Sequence, residues 1–255
     1  MTTTTRKASE IKFGIEIEAS IPNEYREMFQ TGRYHGGLAV NHEHFGNDWT
    51  VQSDSSVRSG RGYFAAEIVS NPLQGEAGLI KVVEMLDFLK SIGAKVNASC
   101  GLHVYVDSAG VSLTRLVKLF KSYEMAFYDM NGKNSNKRLN SRFCKPSSRW
   151  TGDRYASLNL AHAHDVNPHI EIRVWQGAMK PETVVAAIYM AVALVARASM
   201  EEKVKVSDVN ASKPTQIMAQ FIRRMMDENT MIVPDLKPAD IWQEMMKAAL
   251  SSDRR

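Results

Sequence analysis

Cysteine is nearly absent. Cys100 and Cys144 are the only two in 255 residues, too few for a disulfide framework, and no C-x-x-C pair offers a zinc site. Long apolar runs are missing too. The longest, V-V-A-A-I-Y-M-A-V-A-L-V-A at 184–196, is 13 residues, short of the roughly 20 that span a bilayer. Its alanine content fits a helix buried against a sheet. The opening M-T-T-T-T-R-K lacks the apolar core of a signal peptide, so a cytoplasmic location is expected. Repeats and low-complexity tracts are absent. There is little excess charge: 32 Lys and Arg against 28 Asp and Glu give +4. That balance fits a phosphate-bearing ligand or a nucleic acid without requiring either.

What is present is a mixed set of elements without regular β-α-β alternation, which favours α+β with a largely antiparallel sheet. Residues 1–10 are polar and expected to be disordered. Strand patterns occur at 12–19, 48–53, 63–70, 101–107, 154–160 and 169–175. Residues 76–93 carry apolar side chains at helical spacing (Leu79, Val82, Leu86, Leu89) before Gly93 as a stop. Ser112 is an N-cap candidate for a second helix reaching about Met130. Pro181 suits the first turn of the alanine-rich helix. Beyond residue 200 the composition becomes linker-like, and two methionine-rich amphipathic helices follow near 214–227 and 238–250. The expected organisation is therefore a main domain over 11–200 and a helical C-terminal appendage over 201–255, whose helices offer a surface to the main domain or to a second copy of the chain.

The polar faces of the strands carry the chemistry. In F-G-I-E-I-E, period-2 alternation sends Glu16 and Glu18 to one side and Ile15 and Ile17 to the other. Glu67 is the one charge in Y-F-A-A-E-I-V. His103, Tyr105 and Asp107 share a side of G-L-H-V-Y-V-D, as do His169, Glu171, Arg173 and Trp175 in H-I-E-I-R-V-W. Singly, each reads as an ordinary solvated face, an ion pair or a satisfied histidine. Together, four strands each present a carboxylate. Such a cluster stays ionised only if compensated, since buried like charges are costly. Divalent cations are the economical compensation; oxygen ligands with one imidazole suit Mg²⁺ or Mn²⁺.

F-G-I-E-I-E, S-D-S-S-V, E-I-V-S-N-P-L, G-L-H-V-Y-V-D, R-Y-A-S-L-N-L and H-I-E-I-R-V-W-Q-G, in this order, resemble the amidoligase family of the carboxylate–amine ligase superfamily, which includes glutamine synthetase and glutamate–cysteine ligase. The resemblance covers roughly 11–195. It implies a curved antiparallel sheet around ATP and divalent metal, and a reaction that forms an amide or isopeptide bond through an acyl phosphate. It further implies Glu16, Glu18, Glu67, His103 and Glu171 as metal ligands. Arg142, Arg154, His103 and Arg173 become nucleotide contacts, and Arg173, Asp54 and Glu67 the catalytic set. Tyr105 departs from the pattern, since many relatives have a second His there, and stays outside the metal set. The N-H-E-H at 41–44 matches no family motif, so His42 and His44 are read as surface residues.

The segment between Asp129 and Asp153 has no acid and six cations: Lys133, Lys137, Arg138, Arg142, Lys145 and Arg149. It reads as a solvated basic loop, as a cover for nucleotide phosphates, or as a nucleic-acid contact with Phe143, Trp150 and Tyr155 for stacking. Alternatives to the ligase are thus a phosphotransferase on the same scaffold, a nonenzymatic nucleic-acid binder and a metal-dependent nuclease. A Cys100–His103 nucleophile pair is disfavoured by its odd strand spacing. The expected partners are small-molecule or peptide carboxylates and amines, with no membrane.

Overall fold

The structure is a computed structural model that describes residues 6–29, 38–39, 47–146, 154–200, 213–225 and 238–253. Its strands are β1 (Lys12–Pro22), β2 (Leu38–Ala39), β3 (Trp49–Gln52), β4 (Tyr63–Ser70), β5 (Leu73–Gln74), β6 (Gly101–Asp107), β7 (Leu158–Asn159) and β8 (His169–Gln176). Its helices are α1 (Gly75–Ser91), α2 (Leu113–Asp129), α3 (Ser135–Leu139), α4 (Pro181–Met200), α5 (Pro214–Met225) and α6 (Pro238–Asp253). The strands form one sheet in the order β2-β3-β4-β1-β6-β8-β7, with β5 also on β1. Every strand pair is antiparallel, the α+β arrangement expected.

β1 lies in the middle of this order and is buried along nearly its whole length. Ile15 and Ile17 join Val104, Val106, Ile170 and Ile172 in the apolar cluster shared with the helices. Glu16 and Glu18 therefore occupy the opposite face. α1 buries Leu79, Val82, Leu86 and Leu89 as their spacing predicts. Gly93 ends it with φ +74°, and the Ala94 N–H closes onto the Leu89 carbonyl at 2.9 Å. Glycine takes that left-handed conformation at little cost.

α4 is more than its 13-residue apolar run: the helix has 20 residues, and among the described residues it is long and apolar enough by composition to cross a membrane. Its environment argues otherwise, since 83% of its most apolar window is buried inside the protein. α5 and α6 pack on α2 and α4. Met218, Phe221 and Met245 are fully buried there, so these apolar side chains face the chain's own core.

Four local expectations differ from what the structure shows. Residues 6–10 make contacts with the domain: Arg6 pairs with Asp107 at 2.6 Å, its N–H donates to Ser199 Oγ, and Ala8 is buried at the start of a 3₁₀ turn. Ser112 holds the N-cap position of α2, yet its side chain makes no capping bond. The basic segment contains a 3₁₀ turn (Gly132–Asn134) and α3, so it is only partly loop. The fourth concerns Trp175, which does not share a side with Glu171 and Arg173. The β6–β8 register pairs Val104 with Ile172 but Leu102 with Trp175, three residues against two. This bulge turns Trp175 to the helix side, where its ring meets Phe127 at 5.5 Å.

Candidate metal and nucleotide site

Cross-strand register assembles the site. Glu18 lies opposite Glu67 on β4, Glu16 opposite His103 on β6, and Tyr105 opposite Glu171 on β8. These neighbours face a cavity of about 620 Å³, lined by the nine residues to which the resemblance gives roles: Glu16, Glu18, Asp54, Glu67, His103, Arg142, Arg154, Glu171 and Arg173; Asp107 and His169, expected on the same faces, border a second cavity instead. His42, His44, Arg149 and Trp150 lie outside the described residues.

His103 is the hub. Its Nδ1 is 3.0 Å from Glu16 Oε2 and 3.2 Å from Glu171 Oε1, and its Nε2 is 3.6 Å from Glu18 Oε1. Two groups of side chains can each close on a cation, Glu16–His103–Glu171 and Glu18–Glu67–His103, with ligand atoms within 4.8 Å of one another in each. Gly101 gives this cluster room. A Cβ there would sit 2.8 Å from His103 Nε2 and 3.3 Å from Glu18 Oε1, while its N–H donates to Glu18 Oε2 at 2.6 Å. A donor set of carboxylates with one imidazole fits a hard divalent cation.

The protonation pattern follows from this crowding. Burial pushes Glu18 above the ordinary carboxylate range, with His103 and the Gly101 N–H opposing it less strongly. Burial also acts against ionised Glu171. There the hydrogen bond and charge of His103, the Arg173 charge and the Asn159 amide win, and the group is held down at about 2. Burial and Arg173 disfavour imidazolium at His103, but Glu16 and Glu171 outweigh them and raise it to about 9. In the metal-free protein a proton on His103 thus does the compensating.

A prediction follows. The folded value is raised from the ordinary 6.5 to about 9, so protonated His103 stabilises the metal-free protein fully below pH 6.5, and this is lost as pH rises through about 9. A cation held through His103 would have to displace that proton. Mn²⁺ affinity should therefore climb with pH up to about 9, by about tenfold per unit for one proton released, while the melting temperature in EDTA falls over the same range. A flat Mn²⁺ affinity from pH 6.5 to 8.5 would refute it.

Along the strand order, the β3–β4 end of the cavity is lined by carboxylates. Glu18, Glu67 and Asp54 come from β1, β4 and the turn after β3. Both Asp54 oxygens accept from Ser56, from N at 2.6 Å and Oγ at 2.8 Å. On the β8 side stands Arg173, whose Nη1 donates to Glu171 Oε1 at 2.7 Å and whose Nε donates to the Phe143 carbonyl at 3.3 Å. Glu171 and Arg173 are thus both an ion pair and part of the cavity wall. Phe143 and Tyr155 meet edge to face at 5.7 Å. The Arg142 guanidinium lies over Phe143 at 4.6 Å and that of Arg154 over Tyr155 at 5.3 Å.

Three further residues belong here. Arg138 from α3 is buried and donates from Nη2 to the Arg173 carbonyl at 2.7 Å; its Nε has no partner among the described residues. In the sequence it was one of six cations, with nothing to set it apart. Asn159 Nδ2 donates to Glu171 Oε2 at 2.7 Å, and a lone carboxamide inside S-L-N-L was its signal. Tyr105 donates to Glu16. Cys100 is fully buried, burial raises its thiol pKa, and a Cβ on Gly177 would lie 2.7 Å from its own; it packs rather than reacts.

Comparison with known proteins adds two findings. A family model described as "Putative amidoligase enzyme" matches residues 9–150, which includes Glu16, Glu18, Asp54, Glu67, His103 and Arg142 and stops short of Arg154, Glu171 and Arg173. The crystal structure of the complex between the prokaryotic ubiquitin-like protein Pup and its ligase PafA is similar over 97% of this chain and 66% of that one, with TM-score 0.51 and 10% identity. The chain thus spans just under two thirds of that structure's length, and at this identity the likeness concerns the fold. No curated protein sequence matches.

Proposed function

Because the chain belongs to the amidoligase family, whose model matches more than half of it, we propose that it is an ATP- and divalent-metal-dependent ligase joining a carboxylate to an amine through an acyl phosphate. The observation that carries this reading is one cavity that holds both signs of charge: the carboxylates of Glu16, Glu18, Glu67 and Glu171 gathered around His103 on β1, β4, β6 and β8, together with Arg173 of β8 and Arg138, Arg142 and Arg154. Activating a carboxylate with ATP brings several anions together, and positioned positive charge is the main requirement.

In the first step a carboxylate oxygen bonds to the γ-phosphorus as the bridging P–O bond breaks, giving acyl phosphate and ADP. In the second, the amine nitrogen bonds to the acyl carbon, the C–O bond to phosphate breaks, and the nitrogen loses a proton. Glu16, Glu18, Glu67, His103 and Glu171 would hold Mg²⁺ or Mn²⁺, which when bound neutralises phosphate charge. Arg173, fixed by Glu171 and Phe143, is aimed to oppose charge developing on the transferred phosphoryl group. Arg138, Arg142 and Arg154 extend that positive wall towards the rest of the triphosphate. Asp54, locked by Ser56 on the acidic side, suits the incoming ammonium group.

The likeness to a ligase that acts on Pup supports a polypeptide as one substrate. The test is mass spectrometry on ATP–Mg²⁺ reactions with a panel of amino acids, polyamines and peptides. The expected product is a condensation (loss of one water) with one ADP released per bond. A stable phosphorylated acceptor, formed without any amine, would instead establish a phosphotransferase.

A further inference from the structure

Tyr105 shares the site face of β6 with His103. It pairs with Gly14 on β1 and Glu171 on β8, so Glu16, two residues along from Gly14, is its diagonal neighbour. Diagonal positions are about 7–8 Å apart, a span that a long side chain with a donor at its tip can bridge. Tyr105 does so: its hydroxyl donates to Glu16 Oε2 at 2.5 Å. Gly14 places no side chain beside the ring, and a Cβ there would come within 3.7 Å of Tyr105 Cβ. At its other edge the ring meets His169 at 5.8 Å, itself tied by Nδ1 to the Asn167 carbonyl at 2.9 Å.

From this geometry we propose that Tyr105 is a positioning residue for the cation site, acting through Glu16; the proposal rests on the metal-dependent reading above. The ring borders the reaction cavity on one side and a second cavity of about 610 Å³ on the other. The oxygen it holds is also 3.0 Å from His103 Nδ1. Being neutral, the phenol orients the carboxylate without opposing a cation by charge, as a lysine or arginine here would. Partners that orient a ligating carboxylate typically matter by about 10–100-fold in metal affinity.

The experiment titrates metal-free wild type, Tyr105→Phe and Glu16→Gln with Mn²⁺ at one pH, following free Mn²⁺ by EPR, with thermal unfolding of each protein in EDTA. Tyr105→Phe is expected to weaken Mn²⁺ binding by about 10–100-fold while still unfolding cooperatively in EDTA. A merely structural hydroxyl would lower the melting temperature and leave Mn²⁺ affinity in place. A loss of affinity smaller than about tenfold, with Glu16→Gln defective, overturns the role of Tyr105 and leaves the ligase site standing. If the wild type binds no Mn²⁺, or Glu16→Gln binds it as tightly as wild type, the metal-dependent reading fails and the proposal falls with it.

Discussion

Glu171→Ala is expected to remove turnover and to cost about 3–5 kcal/mol of stability at neutral pH, the range for deleting one partner of a buried charged network. Glu171 is 4% exposed and bonded to Arg173, His103 and Asn159, so alanine leaves two cations and a carboxamide facing a void. The pH dependence has a definite sign. The carboxyl is lowered from the ordinary 4.5 to about 2, so its contribution is present above pH 4.5 and lost as pH falls through 2. Urea unfolding should therefore separate variant from wild type widely at pH 7 and less at pH 3. Equal midpoints at pH 7 would show that the buried network does not carry this load. ADP release, measured with the substrates that the mass-spectrometry panel identifies, gives the catalytic half.

Arg173→Lys is expected to lower kcat by about 10²–10³-fold, the scale of removing one well-placed donor to a developing charge, with little change in Mn²⁺ affinity. Arginine here uses two separate nitrogens, Nη1 to Glu171 and Nε to the Phe143 carbonyl. A lysine keeps the charge but has one nitrogen on a flexible stem, so it cannot serve both partners and a phosphate together. The measurement is steady-state kinetics alongside Mn²⁺ titration. A kcat within about threefold of wild type would place the phosphoryl group away from Arg173.

The strands that carry the site were legible because each alternates cleanly. Period 2 puts Glu16 and Glu18 together and their isoleucines opposite, whatever the register. That the four faces converge required cross-strand pairing, which the pattern of one strand cannot supply; the ordered motifs supplied it. Trp175 shows where alternation fails. One extra residue in β8 reverses the face from there on, and nothing in H-I-E-I-R-V-W marks the bulge. Arg138 failed for a different reason. Burying a guanidinium depends on a neighbouring backbone carbonyl, that of Arg173, and basic composition alone does not say which cation finds one. Tyr105 departs from the family pattern, and its diagonal reach to Glu16 becomes visible only with the strands side by side.

The apolar α4 also bears on how the protein is made. Synthesis runs from the N-terminus, so β1 to β8 and α1 to α3 exist when α4 emerges, but α5 and α6, which pack on it, do not. At about 5–20 residues per second, the chain from Met200 to the end of α6 at Asp253 takes on the order of several seconds. During that interval a helix with the length and composition of a membrane span lacks part of its cover. The last two helices therefore decide how long the nascent chain presents a surface that chaperones, lipid or another nascent chain can compete for.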